Sequence, residues 1–397
     1  MEKIFLKPGR DATVRGGNPW IFSGAIERTE PHTIAPGSPV ELHDASGALV
    51  GTGYFNPATT IAVRMLAWGA PSSIEEILKH RLNDALALRT RFVRDDSNCY
   101  RLVNGDGDGL SGVVIDRYAD TLVVQLLTAG ADRMRDQLVT YLKELLQPRA
   151  ILERSSGAVR KAEGLEDRHG TLAGEQVAEM EVRENGNRIV VDFEHGQKTG
   201  YFLDQRENRA RFATVCKGAR VLDTYCYAGG FALAALSGGA SHVLGIDTSA
   251  RAIGWARRNL DLNGYDPNAS ELIHADAAEY LSDTKQRFDV IALDPPALAR
   301  SRKDADRAGH LYVELNALAM RGLAPGGRLM TFSCSTHFRG ETFVQAVRIA
   351  QTKSKRNLRI LAHLGPGPDH PTLLGHGEGE YLTGLLLQDL DSNKSSG

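Results

Sequence analysis

The sequence predicts a multidomain α/β protein with three parts: a small N-terminal β-barrel, a middle α+β domain and a C-terminal, doubly wound parallel sheet. The chain has 397 residues, enough for two or three domains of about 150 residues each. Up to about residue 70, apolar and polar positions alternate between frequent Gly and Pro residues, which is typical of short β-strands. From about residue 205, short apolar strands alternate with amphipathic helices, which favours a parallel sheet.

Composition excludes several classes of protein. The 47 basic and 49 acidic residues leave a formal charge of −2, which excludes a uniformly basic DNA-coating protein but leaves room for a local RNA-binding patch. No stretch approaches the roughly 18 apolar residues of a membrane span, and the N-terminus has no apolar secretory segment. The four cysteines form no CxxC pair, so we expect no metal site. A cytoplasmic enzyme without membrane association is therefore expected.

The N-terminal domain is expected to span residues 1–72. Its predicted strands lie at 38–43, 48–55 and 60–66, with a turn at 45–47. Ser72 and Ser73 precede Glu75 and Glu76, which predicts a capping box at the start of a helix. That helix opens the second domain, because apolar residues then recur at the spacing of one buried helical face.

The middle domain is expected at residues 73–192 and mixes helices with strands. Predicted elements are strands at 113–118, 122–128 and 150–154 and a helix at 132–146. Asn185 and Gly186 separate two alternating runs, the pattern typical of a tight hairpin turn.

The C-terminal domain is expected at residues 193–397, and its glycine-rich turn favours a bound ligand. Predicted strands lie at 219–223, 242–247, 271–274, 289–293, 328–333 and 381–388. Gly229 and Gly230 follow the first of them, where a glycine turn lets the backbone approach a ligand. The pattern is not GxGxxG, which disfavours a nicotinamide- or flavin-dependent reductase.

Four carboxylates end four successive strands. Asp247 follows Asp223 by 24 positions and is placed to accept hydrogen bonds from ribose hydroxyls. Asp276 ends the third strand, where an acid can face an adenine amino group, and Asp294 ends the fourth. A single acid at a strand end is most often a helix cap. Four in succession indicate an adenosine-type site, the arrangement of class I methyltransferases that use S-adenosylmethionine.

Cys334 ends the fifth strand, beside the turn that carries Asp294. An isolated cysteine is usually inert core, but a thiolate at this edge could attack C6 of a pyrimidine and make C5 nucleophilic. Asp294 could then hydrogen-bond the N3/N4 edge of a cytosine and favour that addition. Two other cysteines, Cys216 and Cys226, are expected to serve packing.

Several blocks of the sequence resemble one family. They are QKTGYFLDQR (197–206), DTYCYAGGF (223–231), DPP (294–296), SCS (333–335), GGNPWIF (16–22) and NGDGDGLSGVVIDRY (104–118). Together they resemble the bacterial 23S ribosomal RNA large subunit methyltransferase I family of cytosine-C5 methyltransferases, along almost the whole chain. The resemblance implies an N-terminal PUA domain, a middle domain, a class I methyltransferase domain, S-adenosylmethionine as cofactor and 23S ribosomal RNA as partner. A homodimer is one assembly consistent with it.

The resemblance also implies roles for individual residues. Cys334 would be the nucleophile and Asp294 its catalytic partner. The cofactor would be lined or covered by Thr199, Phe202, Arg206, Asp223, Tyr227, Gly229, Asp247, Asp276 and Asp294. The chain departs from the family pattern at Ala297, where members often have lysine, and at Pro296, where many other RNA cytosine-C5 methyltransferases have a second cysteine. The base that removes the C5 proton is therefore unassigned.

Two further charged segments are candidates for binding an ion or a phosphate. DGDG at 106–109 is similar to the start of a calcium loop, but the twelfth position is Arg117 instead of glutamate. Arg300, Arg302 and Lys303 follow the Asp294 turn and are either a solvated face or phosphate contacts.

Two other functions stay open at this point. One is methylation of a base nitrogen such as guanine N7, against which Cys334 argues. The other is a non-catalytic RNA-binding assembly factor, against which the four acids argue.

Overall fold

The computed structural model describes residues 1–69, 72–299 and 302–390, without the side chain of Arg302. They divide into two units. The N-terminal unit comprises residues 1–182, 191–204 and 368–379, and the C-terminal unit comprises 183–190, 205–367 and the described residues from 380. Within the described residues, no helix is long and apolar enough to cross a membrane.

The first part of the N-terminal unit is a six-stranded mixed sheet. Its elements are β1 (Glu2–Leu6), α1 (Ala12–Arg15), β2 (Trp20–Phe22), β3 (Ile26–Glu30), β4 (Ser38–His43), β5 (Leu49–Phe55) and β6 (Ile61–Trp68). The strand order is β2-β6-β5-β4-β1-β3, in which β1 and β4 are parallel. Its buried apolar residues form a separate core, whose members run along the chain from Ile4 to Met65. In β4, for example, Val40 and Leu42 enter that core while Pro39 between buried positions is exposed, which accounts for the alternation there.

The second part of the N-terminal unit has a separate core around a five-stranded sheet, ordered β11-β10-β9-β8-β7. Its elements are α2 (Ile74–Phe92), β7 (Cys99–Asn104), β8 (Val113–Tyr118), β9 (Thr121–Leu126), α3 (Ala129–Arg133), α4 (Arg135–Leu146), β10 (Ala150–Ser155), α5 (Ala158–Ala162) and β11 (Arg168–Gly174). The predicted capping box is present: Ser73 Oγ accepts from the Glu76 N–H, and the Glu76 carboxylate accepts from the Ser73 N–H. A two-stranded hairpin of β12 (Glu179–Glu184) and β13 (Asn187–Asp192) follows. Asn185 and Gly186 form its turn with φ of 50° and 81°, as the sequence predicts.

One detail of this part differs from the sequence prediction. The strand predicted to run to Thr128 ends at Leu126, because the Thr128 side chain accepts from the Ala131 N–H and caps α3. The aspartates of the DGDG segment are bound by protein groups. Both Asp108 carboxylate oxygens accept from the Arg89 guanidinium at 2.5 and 2.7 Å, so this carboxylate neutralises a buried charge.

The C-terminal unit holds a seven-stranded sheet ordered β16-β15-β14-β17-β18-β20-β19. Its elements are α6 (Arg206–Ala213), β14 (Arg220–Thr224), α7 (Gly230–Ser237), β15 (His242–Asp247), α8 (Ala250–Leu262), β16 (Ser270–His274), α9 (Ala277–Asp283), β17 (Phe288–Leu293), α10 (Ala305–Gly322), β18 (Leu323–Ser333), α11 (Glu341–Ser354), β19 (Leu358–Leu364) and β20 (Thr383–Asp389). The first five strands of that order are parallel, and β20 is antiparallel to both of its neighbours. The doubly wound parallel sheet expected from the sequence is confirmed.

The chain order of these strands fixes where a ligand can bind. It starts at β14, moves outward through β15 and β16, and returns to the other side of β14 with β17. The topological switch point therefore lies between β14 and β17. Ligands of such sheets bind at the carboxyl end of this point.

Candidate active site

The parallel strands bring five predicted site residues to one edge of the sheet. In sheet order, the residues at or just after the carboxyl ends are Asp276, Asp247, Asp223, Asp294 and Cys334. The register places Asp223 opposite Gly245 on one side and Ala292 on the other, so β14 and its neighbours end at similar levels. Residues far apart in the chain thus become lateral neighbours at the switch point.

Asp223 is the most buried of the four acids, with 1% of its surface exposed. One carboxylate oxygen accepts from the Ala232 N–H at 2.9 Å. The other, Oδ1, is buried and has no hydrogen-bond partner among the described residues. Burial, together with the smaller effects of the Asp294 and Asp247 charges, raises the pKa of this carboxyl to about 8. A buried carboxyl of this kind fits a cationic ligand, which would stabilise its charged form.

The loop after β14 is strained and is held by Asp247. Tyr225 and Tyr227 both have left-handed backbones, with φ of 57° and 48°, a conformation that costs energy in non-glycine residues. The Tyr227 N–H donates to Asp247 Oδ2 at 2.9 Å, and the Ser249 N–H donates to Oδ1 at 2.8 Å. Each oxygen keeps a lone pair for another donor, so this carboxylate is able to accept from ribose hydroxyls as well.

Gly229 meets two requirements at the start of α7. Its φ is 79°, in the left-handed region, and an added Cβ would lie 3.1 Å from the Cβ of Ala256 on α8. Glycine is therefore favoured here by backbone conformation and by the close approach of α8.

Asp276 caps α9, the role that a lone acid at a strand end most often has. Its Oδ1 accepts from the N–H groups of Ala278 and Glu279 at 2.8 and 3.0 Å. The residue is exposed, and both capping hydrogen bonds go to Oδ1, so Oδ2 takes no part in the cap.

Asp294 is held by the side chain of Gln205, which is held in turn by Asn208; the sequence alone pointed to neither amide. Gln205 Nε2 donates to Asp294 Oδ2 at 3.0 Å. Gln205 Oε1 in turn accepts from Asn208 Nδ2 at 2.6 Å. Only the position of Gln205 inside the block 197–206, which carries part of the family resemblance, could have drawn attention to it.

Cys334 is half-buried, and its two serine neighbours hold its turn. Its Sγ lies 3.6 Å from the carbonyl oxygen of Pro295, in the turn that carries Asp294. Ser333 Oγ donates to the Phe338 carbonyl at 2.6 Å, and Ser335 Oγ accepts from the Ala299 N–H at 3.2 Å. The SCS motif thus fixes the backbone on both sides of the thiol.

Thr199 and Phe202 lie in the N-terminal unit. Thr199 is fully buried; its hydroxyl donates to Asp116 at 2.6 Å and accepts from the Tyr118 hydroxyl at 3.0 Å. Phe202 packs under the Lys198 ammonium, 4.6 Å from the ring centroid. Their assignment to the cofactor stays a prediction.

Arg206 belongs to the C-terminal unit, where it begins α6 with 1% of its surface exposed. Its Nε donates to Glu207 at 3.2 Å. Of the basic residues after Asp294, Arg300 and the side chain of Arg302 lie outside the described residues.

Comparison with known proteins gives matches along nearly the whole chain. Residues 4–68 match a family model described as a PUA-like domain, and residues 163–344 match one described as an S-adenosylmethionine-dependent methyltransferase. The chain is 38% identical over 388 residues to the ribosomal RNA large subunit methyltransferase I of Photobacterium profundum, covering 96% of this chain and 98% of that protein. It is 37% identical over 395 residues to the protein of the same name from Alteromonas mediterranea, covering 98% and 99%.

A solved structure shares the fold at lower identity. A crystal structure of a methyltransferase complexed with SAH superposes with a TM-score of 0.84 and 20% identity, covering 98% of this chain and 100% of the other.

Proposed function

The chain belongs to the ribosomal RNA large subunit methyltransferase I family, and we propose that it transfers a methyl group from S-adenosylmethionine to C5 of a cytosine in 23S ribosomal RNA. The family resemblance, the PUA-like domain and the S-adenosylmethionine cofactor expected from the sequence are confirmed. The cytosine-C5 chemistry and the covalent step through Cys334 are what the proposal adds.

The observation that carries the proposal is the pairing of Cys334 with the Asp294 turn. A thiol that is half-buried at the carboxyl edge, 3.6 Å from the Pro295 carbonyl oxygen, is available to a base inserted there. Methylation of a base nitrogen needs no such nucleophile, because the nitrogen already carries a lone pair. Carbon C5 of cytosine needs activation first.

The protein groups would act in the following order. The Cys334 thiolate attacks C6 of the cytosine and forms an S–C6 bond, and the displaced electron pair of the C5–C6 bond is delocalised over C5 and N3. Asp294 accepts from the N4 amino group and orients the base for this attack. Carbon C5, now nucleophilic, takes the methyl group that bound S-adenosylmethionine supplies. A base then removes the C5 proton, and the electron pair of that C–H bond restores the C5–C6 double bond and expels the thiolate.

The same edge of the sheet would hold the cofactor. Asp247 would accept from the ribose hydroxyls and Asp276 from the adenine amino group. Asp223, whose Oδ1 is buried and whose pKa is raised by burial, would face a cationic group. An acidic set of this kind suits a ligand with a sulfonium and an ammonium charge.

The PUA-like domain suggests how RNA is recognised. The low net charge indicates recognition shared between this domain and the catalytic domain through a few phosphate contacts, with a modest salt dependence. A ribosomal RNA substrate implies a cytoplasmic enzyme. The homodimer stays a prediction.

The test is a substitution of the nucleophile together with a trapping substrate. Cys334→Ser should abolish turnover and leave S-adenosylmethionine affinity nearly unchanged, because an alkoxide forms far less readily than a thiolate near neutral pH. The wild-type enzyme should form a covalent complex with RNA carrying 5-fluorocytosine, since fluorine blocks the proton loss that frees the thiol. Cys216→Ser, in a buried cysteine away from this edge, is the matched control. A Cys334→Ser enzyme with a near-normal rate would refute the covalent step and favour methylation of a base nitrogen.

A further inference from the structure

Gln205 is a buried amide beside the proposed catalytic acid, with 3% of its surface exposed. It directly precedes α6, whereas Asp294 follows β17. We infer that Gln205, oriented by Asn208, is a positioning residue that holds the Asp294 carboxylate for recognition of cytosine. This inference rests on the proposed function, in which Asp294 meets the N3/N4 edge of the base.

The orientation of both amides follows from one backbone carbonyl. Asn208 Nδ2 donates to the carbonyl oxygen of Gly365 at 3.0 Å. A carbonyl oxygen only accepts, so the nitrogen of the Asn208 amide must face it. The same nitrogen donates to Gln205 at 2.6 Å, which requires Gln205 to present Oε1 there. Gln205 Nε2 is thereby directed at Asp294, 3.0 Å away.

The direction of this chain of hydrogen bonds has a chemical consequence for Asp294. Its Oδ2 receives an N–H donor, and a hydrogen bond to the charged form of a carboxyl stabilises that form. An ionised carboxylate offers only acceptors. It therefore matches the N4 amino group of cytosine, which donates, and opposes the O4 of uracil, which accepts.

Burial of the two amides disfavours other orientations of the Gln205 side chain. Asn208 is 4% exposed, so water competes little with either amide. An unpaired buried polar group is costly, and this cost opposes rotation of Gln205 away from Asp294. The geometry thus assigns to Gln205 and Asn208 a share of the preference for cytosine, exerted through Asp294.

A double-mutant cycle tests whether Gln205 acts through Asp294. Rates are measured for the full-length protein on 23S ribosomal RNA under single-turnover conditions with excess enzyme, so that slow variants remain measurable. Gln205→Met keeps the side-chain length without the donor and should lower the rate about ten- to hundredfold, the effect of one hydrogen bond to a charged group. Affinity for S-adenosylmethionine, measured by calorimetry, should stay within about twofold if the loss is confined to Asp294. Gln345→Met, on the exposed side of α11, is the matched control and should match the wild-type rate.

The decisive comparison adds Gln205→Met to Asp294→Asn. If Gln205 acts only through Asp294, the second change lowers the rate by less than about twofold. Additive losses, or loss of cofactor affinity in Gln205→Met, would overturn the inference in favour of a structural role. Gln205→Glu, which keeps the shape and replaces the donor by an acceptor, serves if the methionine variant does not fold. Mass analysis of the wild-type product separates the two claims: a product other than 5-methylcytosine refutes the proposed function, and the cycle still reports the coupling.

Discussion

If Asp223 lines the S-adenosylmethionine site as proposed, it should make the affinity for this cofactor dependent on pH between pH 6 and pH 7. Burial raises the pKa of this carboxyl to about 8, and the neighbouring charges of Asp294 and Asp247 act in the same direction. In the free enzyme at pH 7 the group is therefore mostly protonated. If it faces a cationic group of the cofactor, it is ionised in the complex. Binding must then release a proton, so affinity falls as the pH is lowered.

The magnitude follows from this pKa. Apparent affinity is reduced by one plus the ratio of protonated to ionised Asp223, a factor of about 11 at pH 7 and about 101 at pH 6 for a pKa of about 8. The dissociation constant should rise about ninefold from pH 7 to pH 6, and binding at pH 7 should release about 0.9 proton. The amino group of the cofactor stays protonated in this interval, because the pKa of α-amino groups is about 7.7–8.0.

Titration calorimetry at pH 6 and pH 7 measures both quantities, with buffers of different ionisation enthalpy giving the proton release. Asp223→Asn is the matched variant, because its side-chain oxygen can still accept from the Ala232 N–H as Asp223 does. It should bind more weakly than the wild type at pH 7 and show no ninefold change. An equal pH dependence in the wild type and Asp223→Asn would refute the reasoning, since the titrating group would then lie elsewhere.

Three further predictions concern cofactor binding, the cysteine turn and packing. Asp247→Ala should weaken S-adenosylmethionine binding by about 2–3 kcal/mol in calorimetry; unchanged affinity would remove the ribose assignment. Ser335→Ala removes the acceptor of a buried N–H and should lower the free energy of unfolding by about 1–3 kcal/mol in urea titrations, an effect that would be missing if water replaced the hydroxyl. Gly130→Ala should lower the melting temperature, because the added Cβ would overlap the ring of Tyr54. The matched substitution Gly254→Ala places its Cβ in open space and should raise the free energy of unfolding by about 0.5–1 kcal/mol. Equal shifts in melting temperature for the two variants would contradict this expectation.

The sequence by itself determined the features that depend on near neighbours. The capping box of Ser73 and Glu76 spans one helical turn, and the Asn185-Gly186 turn needs only the positive φ that these residues tolerate. The strands β14, β15 and β17 of the C-terminal domain could be recognised because consecutive residues in each are apolar and buried, as in strands that are covered on both faces. The four acids could be recognised as a set because each lies at or just after the end of a predicted strand. These signals are local in the chain, so they are readable before the fold is known.

The tertiary structure decided which of these residues meet, and in what chemical state. The strand order makes β14 and β17 neighbours, so that Asp223 and Asp294 lie on either side of the switch point. The raised pKa of Asp223 is a consequence of burial, which depends on every element packed around the carboxyl. The role inferred for Gln205 depends on the fold, which places its amide beside Asp294. A sequence does not show which of many acids an amide will contact. Hydrogen bonds and desolvation act between groups in space, whereas the sequence orders them only along the chain.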